Sequence, residues 1–201
     1  MQTLASQIVV ARPSRAARLA TDVLLVVGGS LLVAGLAQLS IRLPFTPVPI
    51  TGQTLGVLLV GASLGAARGL ASMLLYLAEG AVGLPFFAEG KGGWEVLTLA
   101  TPSGGYLFGF VAAAALVGFL SQRGWDRSLR SCIGAMLLGE VVIYLCGLPW
   151  LAASVGVPAT RALELGLYPF VVGDLLKLFV AAGALPAAWR LTRPSWRGGS
   201  A

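Results

Sequence analysis

The chain has no histidine at all, which removes the commonest metal ligand and proton shuttle. Its two cysteines, Cys132 and Cys146, fall in one apolar run with no metal-binding spacing, so both read as packing residues. Charge is scarce: Asp, Glu, Lys and Arg make up 11% of 201 residues, where a soluble domain carries roughly 25%. No polar stretch is long enough for a soluble domain. The only Gly-Lys step in a glycine-rich stretch, Gly90-Lys91-Gly92-Gly93, lacks the Ser or Thr of a nucleotide-binding loop. No nucleophile–base pair or metal motif stands out either. These absences argue against an enzyme: no catalytic residue, metal or cofactor is expected.

What the chain has instead is apolar length. Hydrophobic residues make up 57% of it, 27 residues are glycine, and the mean hydropathy is +0.86. At about 20 residues per span this predicts an all-α integral membrane protein with six transmembrane helices. The helices are placed at about 19–41, 52–64 (short for a span), 66–83, 106–120, 131–152 and 169–189. Residues 1–18 read as a basic leader into a retained first helix, 19–191 as one membrane domain and 192–201 as a basic tail. With six spans both termini share a side. That side collects ten basic residues (Arg12, Arg15, Arg18, Arg68, Arg123, Arg127, Arg130, Arg190, Arg193 and Arg197) against Arg42, Lys91 and Arg161 on the other. The positive-inside rule makes both termini cytoplasmic. The net charge of +6 then reflects topology and contact with the lipid bilayer, not nucleic-acid binding.

Asp174 and Lys177 are the only charges in residues 170–189. Each costs about 2.5–3.5 kcal/mol at mid-membrane. Three apart, they share a helix face, which suggests a site; a self-neutralising pair tying the helix to a neighbour is the plainer alternative. Lys177 lies about 12 Å along a helix from Pro169, which suits the first helical position. The pair therefore faces a cavity in the outer half. Two loops on that side would roof it. One is the proline loop with Pro44, Pro47 and Pro49. The other is a glycine-rich, aromatic stretch from Leu84 to Gly105 carrying Phe86, Phe87 and Trp94, with Tyr106 just beyond. Glu140, a second intramembrane acid, reads as a site residue, a protonated core acid or a helix tether. Gly28, Gly29 and Ser30 let the first helix approach another closely, within the protein or on a partner.

Several stretches in matching order carry a resemblance. They are Pro47-Val48-Pro49-Ile50-Thr51 with Gln53-Thr54, Gly83-Leu84-Pro85-Phe86-Phe87, Gly92-Gly93, Pro102-Ser103-Gly104-Gly105-Tyr106, Ile143-Tyr144 and Gly173-Asp174-Leu175-Leu176-Lys177. Over about residues 36–178 the chain resembles the BioY family, the biotin-binding S components of energy-coupling-factor transporters. It departs from that family at Ser103, where Thr is usual. It also departs at Gly28, Gly29 and Ser30, where an Ala-x-x-x-Ala docking pattern is usual.

The resemblance implies an S-component-like bundle in a prokaryotic cell membrane that captures biotin from outside. It has no ATPase of its own; its partners are a transmembrane coupling subunit and two cytoplasmic ATPase subunits. It and the local chemistry together place substrate binding at Asp174, Lys177, Tyr106, Gln53, Gly92, Gly93 and Trp94, and a coupling face at Gly28, Gly29 and Ser30. Asp174 would accept from the ureido N–H groups and Lys177 donate to the ureido oxygen. Alternatively, Lys177 meets the carboxylate, for which Lys91 and Arg161 are the other candidates. A stand-alone carrier of another small solute, or a proton-coupled one using Glu140 and Asp174, is the rival reading.

Overall fold

The computed structural model describes residues 3–5 and 14–192. Its helices are α1 (Arg15–Ala37), α2 (Gln53–Leu64), α3 (Ala66–Ala81), α4 (Gly104–Gln122), α5 (Leu129–Val155), α6 (Ala159–Gly166) and α7 (Val171–Thr192). A two-residue antiparallel ladder, β1 (Ser40–Ile41) with β2 (Ile50–Thr51), closes the proline loop. Among the described residues four helices are long and apolar enough to cross a membrane: Arg15–Ala37, Gly104–Gln122, Leu129–Val155 and Val171–Leu191. The 12-residue α2 and the 16-residue α3 are shorter.

Helix α4 is the hub. It packs on α2, α3 and α5, while α1 leans on α3 and α2, and α7 on α5 and α2. The approach is close because glycines stand at its seams with α2 and α5. A Cβ on Gly61 would lie 2.6 Å from the Ala114 carbonyl oxygen, and one on Gly109 2.9 Å from the Ile143 Cα. Helices in lipid gain little from hydrophobic burial, so such contact supplies much of their attraction. Leu19, Val23, Leu24, Val172, Leu176 and Phe179 stay exposed on the outside of the bundle, as a lipid-facing surface requires.

Several boundaries differ from expectation. Helix α1 starts four residues before 19, because the Ser14 hydroxyl caps it by accepting from the Ala17 N–H at 3.2 Å. It stops at Ala37, and the chain enters β1 where the sequence reads as helix to 41. Residues Leu4 and Ala5 of the expected leader are buried, Leu4 against the core around Leu58 and Met136. Pro169 precedes α7; the Asp174 N–H donates to the Phe170 carbonyl at 2.8 Å, so the helix opens at Val171. Helix α6 lies in the stretch between the expected fifth and sixth spans, 131–152 and 169–189. The tail from 193 onward lies outside the described residues.

At one end of the bundle the α4–α5 turn is tied to α7: Trp189 Nε1 donates to buried Asp126, and Arg127 lies over the Trp189 ring at 4.9 Å. Burial pushes the Asp126 carboxyl above its ordinary value. At the other end the three longer connections meet. The Thr46 hydroxyl donates to the Leu165 carbonyl at 2.6 Å, and Arg42 pairs with Glu89.

Candidate functional site

Beneath those three connections lies a cavity of about 100 Å³. Its polar floor comes from α7, α2 and α5. Lys177 Nζ donates to Asp174 Oδ1 at 2.9 Å and to Thr54 Oγ1 at 3.1 Å. The Thr54 hydroxyl points to the same carboxylate at 3.5 Å, and the Tyr144 hydroxyl donates to Asp174 Oδ2. Asp174 is 7% exposed, so its charge is balanced by this network rather than by solvent. The pair expected from sequence is thus formed and faces the cavity.

Tyr106 and Gln53 also line the cavity. Tyr106 is fixed at both ends: its hydroxyl donates to the Gly166 carbonyl at 2.9 Å, and its ring meets that of Tyr144 edge-on at 6.1 Å. Gly147 makes room for it; a Cβ there would lie 2.4 Å from the ring. Gln53 is held by Thr51 and Tyr76: the Thr51 hydroxyl donates to Oε1 at 2.9 Å, and Nε2 donates to the Tyr76 oxygen at 2.6 Å. Apolar walls come from Val48, Phe87, Leu107, Phe110, Ile143 and Phe170.

Glu89 and Lys91 form part of the roof. Arg42 embraces the Glu89 carboxylate with two nitrogens, Nε at 2.6 Å, and Lys91 Nζ lies 2.8 Å from Oε2. These hydrogen bonds, Arg42 first, hold the Glu89 carboxyl down at about 2. Glu89 adopts a φ of 64°, the left-handed region that a non-glycine residue enters at a cost.

Three residues expected in the pocket lie outside its lining. Trp94 is 67% exposed and points away. The two glycines before it shape the loop: a Cβ on Gly92 would meet the Leu84 carbonyl at 2.3 Å, and Gly93 turns at φ 107° to donate its N–H to Gly80 O at 2.7 Å. Arg161 is engaged with Glu164 one helical turn away and does not reach the cavity, whereas Lys91 does. Glu140 is 6% exposed with no hydrogen-bond partner on either oxygen, which removes the tether reading. Of the small residues on α1, Gly29 and Ser30 turn inward. A Cβ on Gly29 would lie 2.5 Å from Ser72 Oγ, and Ser30 donates to Glu79. Gly28 alone has open space before it.

Thr54, Tyr144 and Glu89 had no assigned role in the sequence. A hydroxyl on an apolar helix carries no signal of its own, and nothing in the sequence pairs Arg42 with an acid 47 residues later.

Bundle and site together define a multi-pass α-helical membrane protein with an ion-paired cavity under its loops. Comparison narrows the class. Residues 5–194 match the profile of the BioY family, and the chain belongs to that family. It is 39% identical over 149 residues to the biotin transporter BioY of Rhizobium etli, covering 71% of this chain and 78% of that one. To the biotin transporter BioY of Rhodobacter capsulatus it is 35% identical over 181 residues, covering 82% and 94%. Its fold matches the crystal structure of the S-component for biotin from an ECF-type ABC transporter with a TM-score of 0.77 at 25% identity, covering 89% of this chain and 95% of that one.

Proposed function

We propose that this protein is the biotin-binding subunit of a vitamin uptake transporter: it takes biotin from outside and delivers it inward with an ATP-driven coupling module. The observation that carries the reading is the Asp174–Lys177 pair on the floor of the cavity under the loops, in the fold of a biotin S-component. An ionised carboxylate has about four acceptor positions. Lys177, Thr54 and Tyr144 take up three of them on Asp174. The remaining one suits a ureido N–H, and Lys177, with a third donor free, suits the ureido oxygen. Charge-assisted bonds of this kind are about twice as strong as neutral ones. Phe87 and Tyr106 flank the apolar ring, and Lys91 at the roof suits the carboxylate.

The protein itself is a transport subunit and not an enzyme. Its partners under this reading are a transmembrane coupling subunit and two cytoplasmic ATPases, in a prokaryotic cell membrane. All six helices α1 to α5 and α7 cross it, α2 and α3 as short spans, with both termini in the cytoplasm. The ten basic residues against three support that orientation. Calorimetry of the purified protein with biotin, and with thiamine as control, tests the reading. Saturable binding of biotin alone is expected; equal binding of both, or of neither, overturns it.

A further inference from the structure

Tyr76 is buried in α3 and outside the cavity lining, yet it touches two parts of the site. Its hydroxyl donates to the Phe86 carbonyl at 3.1 Å, and its ring meets Phe87 edge-on at 5.5 Å. Gln53 Nε2 lies 2.6 Å from the same hydroxyl. The direction of this chain follows from what each group can do. A backbone carbonyl only accepts, so the single Tyr76 proton goes to Phe86. The Tyr76 oxygen must then accept, and only the NH2 side of Gln53 can donate to it. The carbonyl side of Gln53 is thereby turned the other way, toward Thr51. Thr51 lines the cavity and Tyr76 does not, so the rotated amide presents an acceptor to the ligand space. The Thr51 hydroxyl uses one lone pair of Oε1 at 2.9 Å and leaves the second.

We infer that Tyr76 is a positioning residue for ligand selectivity: through the Phe86 carbonyl it fixes the Gln53 amide so that its oxygen receives an N–H of a cyclic urea. This rests on the biotin reading, and it supplies the second ureido N–H with an acceptor beside the one that Asp174 gives to the first. Without Tyr76 the amide can turn over and present a donor to a donor.

The test is a double-mutant cycle with Tyr76→Phe and Gln53→Leu, measured by calorimetry with biotin and with biotin methylated at each ureido nitrogen in turn. Tyr76→Phe is expected to weaken biotin by roughly three- to tenfold, the range that one hydrogen bond supplies. It should also shrink the preference for biotin over one of the methylated forms. In a Gln53→Leu background the same substitution should cost nothing further, because its action passes through Gln53. Additive losses, or an unchanged preference between the ligands, overturn the inference and leave Tyr76 a packing residue. If Tyr76→Phe does not fold, the wild type answers by NMR: the Gln53 side-chain NH2 should exchange slowly before ligand is added, and exchange at the solvent rate overturns the assignment. Failure of the wild type to bind biotin at all is a different result and overturns the proposed function.

Discussion

Asp174 and Lys177 place opposite charges 2.9 Å apart in side chains that are 9% and 16% exposed. Removing one partner of such a pair costs about 3–5 kcal/mol, because the other is left buried and uncompensated. Asp174→Asn is therefore expected to lose biotin affinity at least tenfold, a 1.4 kcal/mol effect, and to unfold at lower temperature. Adding Lys177→Met should restore much of the thermal stability and none of the binding. A double variant no more stable than the single one would show that the pair is not a balanced unit. Recovered binding would remove Asp174 from the site. The pair was legible in the sequence because two charges in an apolar run have few structural uses. Thr54 and Tyr144 were not, because a hydroxyl reveals its role only once another helix brings the carboxylate to it. Gly92, Gly93 and Trp94 stand apart from the cavity lining. Their loop does roof the site, but the glycines answer to backbone crowding inside the loop and Trp94 faces out.

At the level of elements, most helix bodies could be read from apolar length alone, whereas their ends depended on partners. Ser14 extends α1, and α6, eight residues long and too short to be read as a span, folds against α5. The contact between the proline loop and the 88–90 turn could not be foreseen. Here Glu89 is clamped by Arg42 and Lys91 at the roof of the cavity. Its carboxyl sits at about 2 against an ordinary 4.5. A depressed value means that the stabilisation is complete above 4.5 and is lost as pH falls through about 2. Hydrogen exchange of residues 88–91 should therefore be unchanged from pH 7 to pH 5, after correction for intrinsic rates, and should loosen only below. Loosening near neutral pH would mean that Glu89 does not hold the roof. Glu89→Gln should loosen the same segment at every pH, and biotin should tighten it in the wild type. Helix α1 supplies the second lesson. Adjacent helical residues sit about 100° apart, so three small residues in a row cannot all serve one face. Gly29→Leu would drive a side chain into Ser72 and Val60 and should destabilise the fold by 1–3 kcal/mol, an overpacking effect of about that size. A Cβ on Gly28 meets nothing within 4 Å, so Gly28→Leu should leave the melting temperature in place.

At the scale of the whole molecule, the cavity and the open side of α1 are separate surfaces. The cavity lies under the loops at one end. The side groove is lined by Leu24, Leu25, Gly28, Gly29 and Leu32 from α1 with Leu59, Val60, Ser63 and Leu64 from α2, and shares no residue with the cavity lining. Under the proposed function that division has a use: one surface for the ligand, and another on which a coupling subunit can act without entering the site. Such a contact in lipid relies on close van der Waals approach, and a leucine at a glycine position blocks it. Gly28→Leu is expected to bind biotin with unchanged affinity in calorimetry and to lose ATP-dependent uptake in vesicles carrying the complete transporter. Gly29→Leu should instead weaken both, in proportion to the folded fraction. Normal uptake by Gly28→Leu would move the coupling contact to another side of the bundle. A loss of binding in that variant would show that α1 shapes the cavity from a distance, because no residue of α1 lines it.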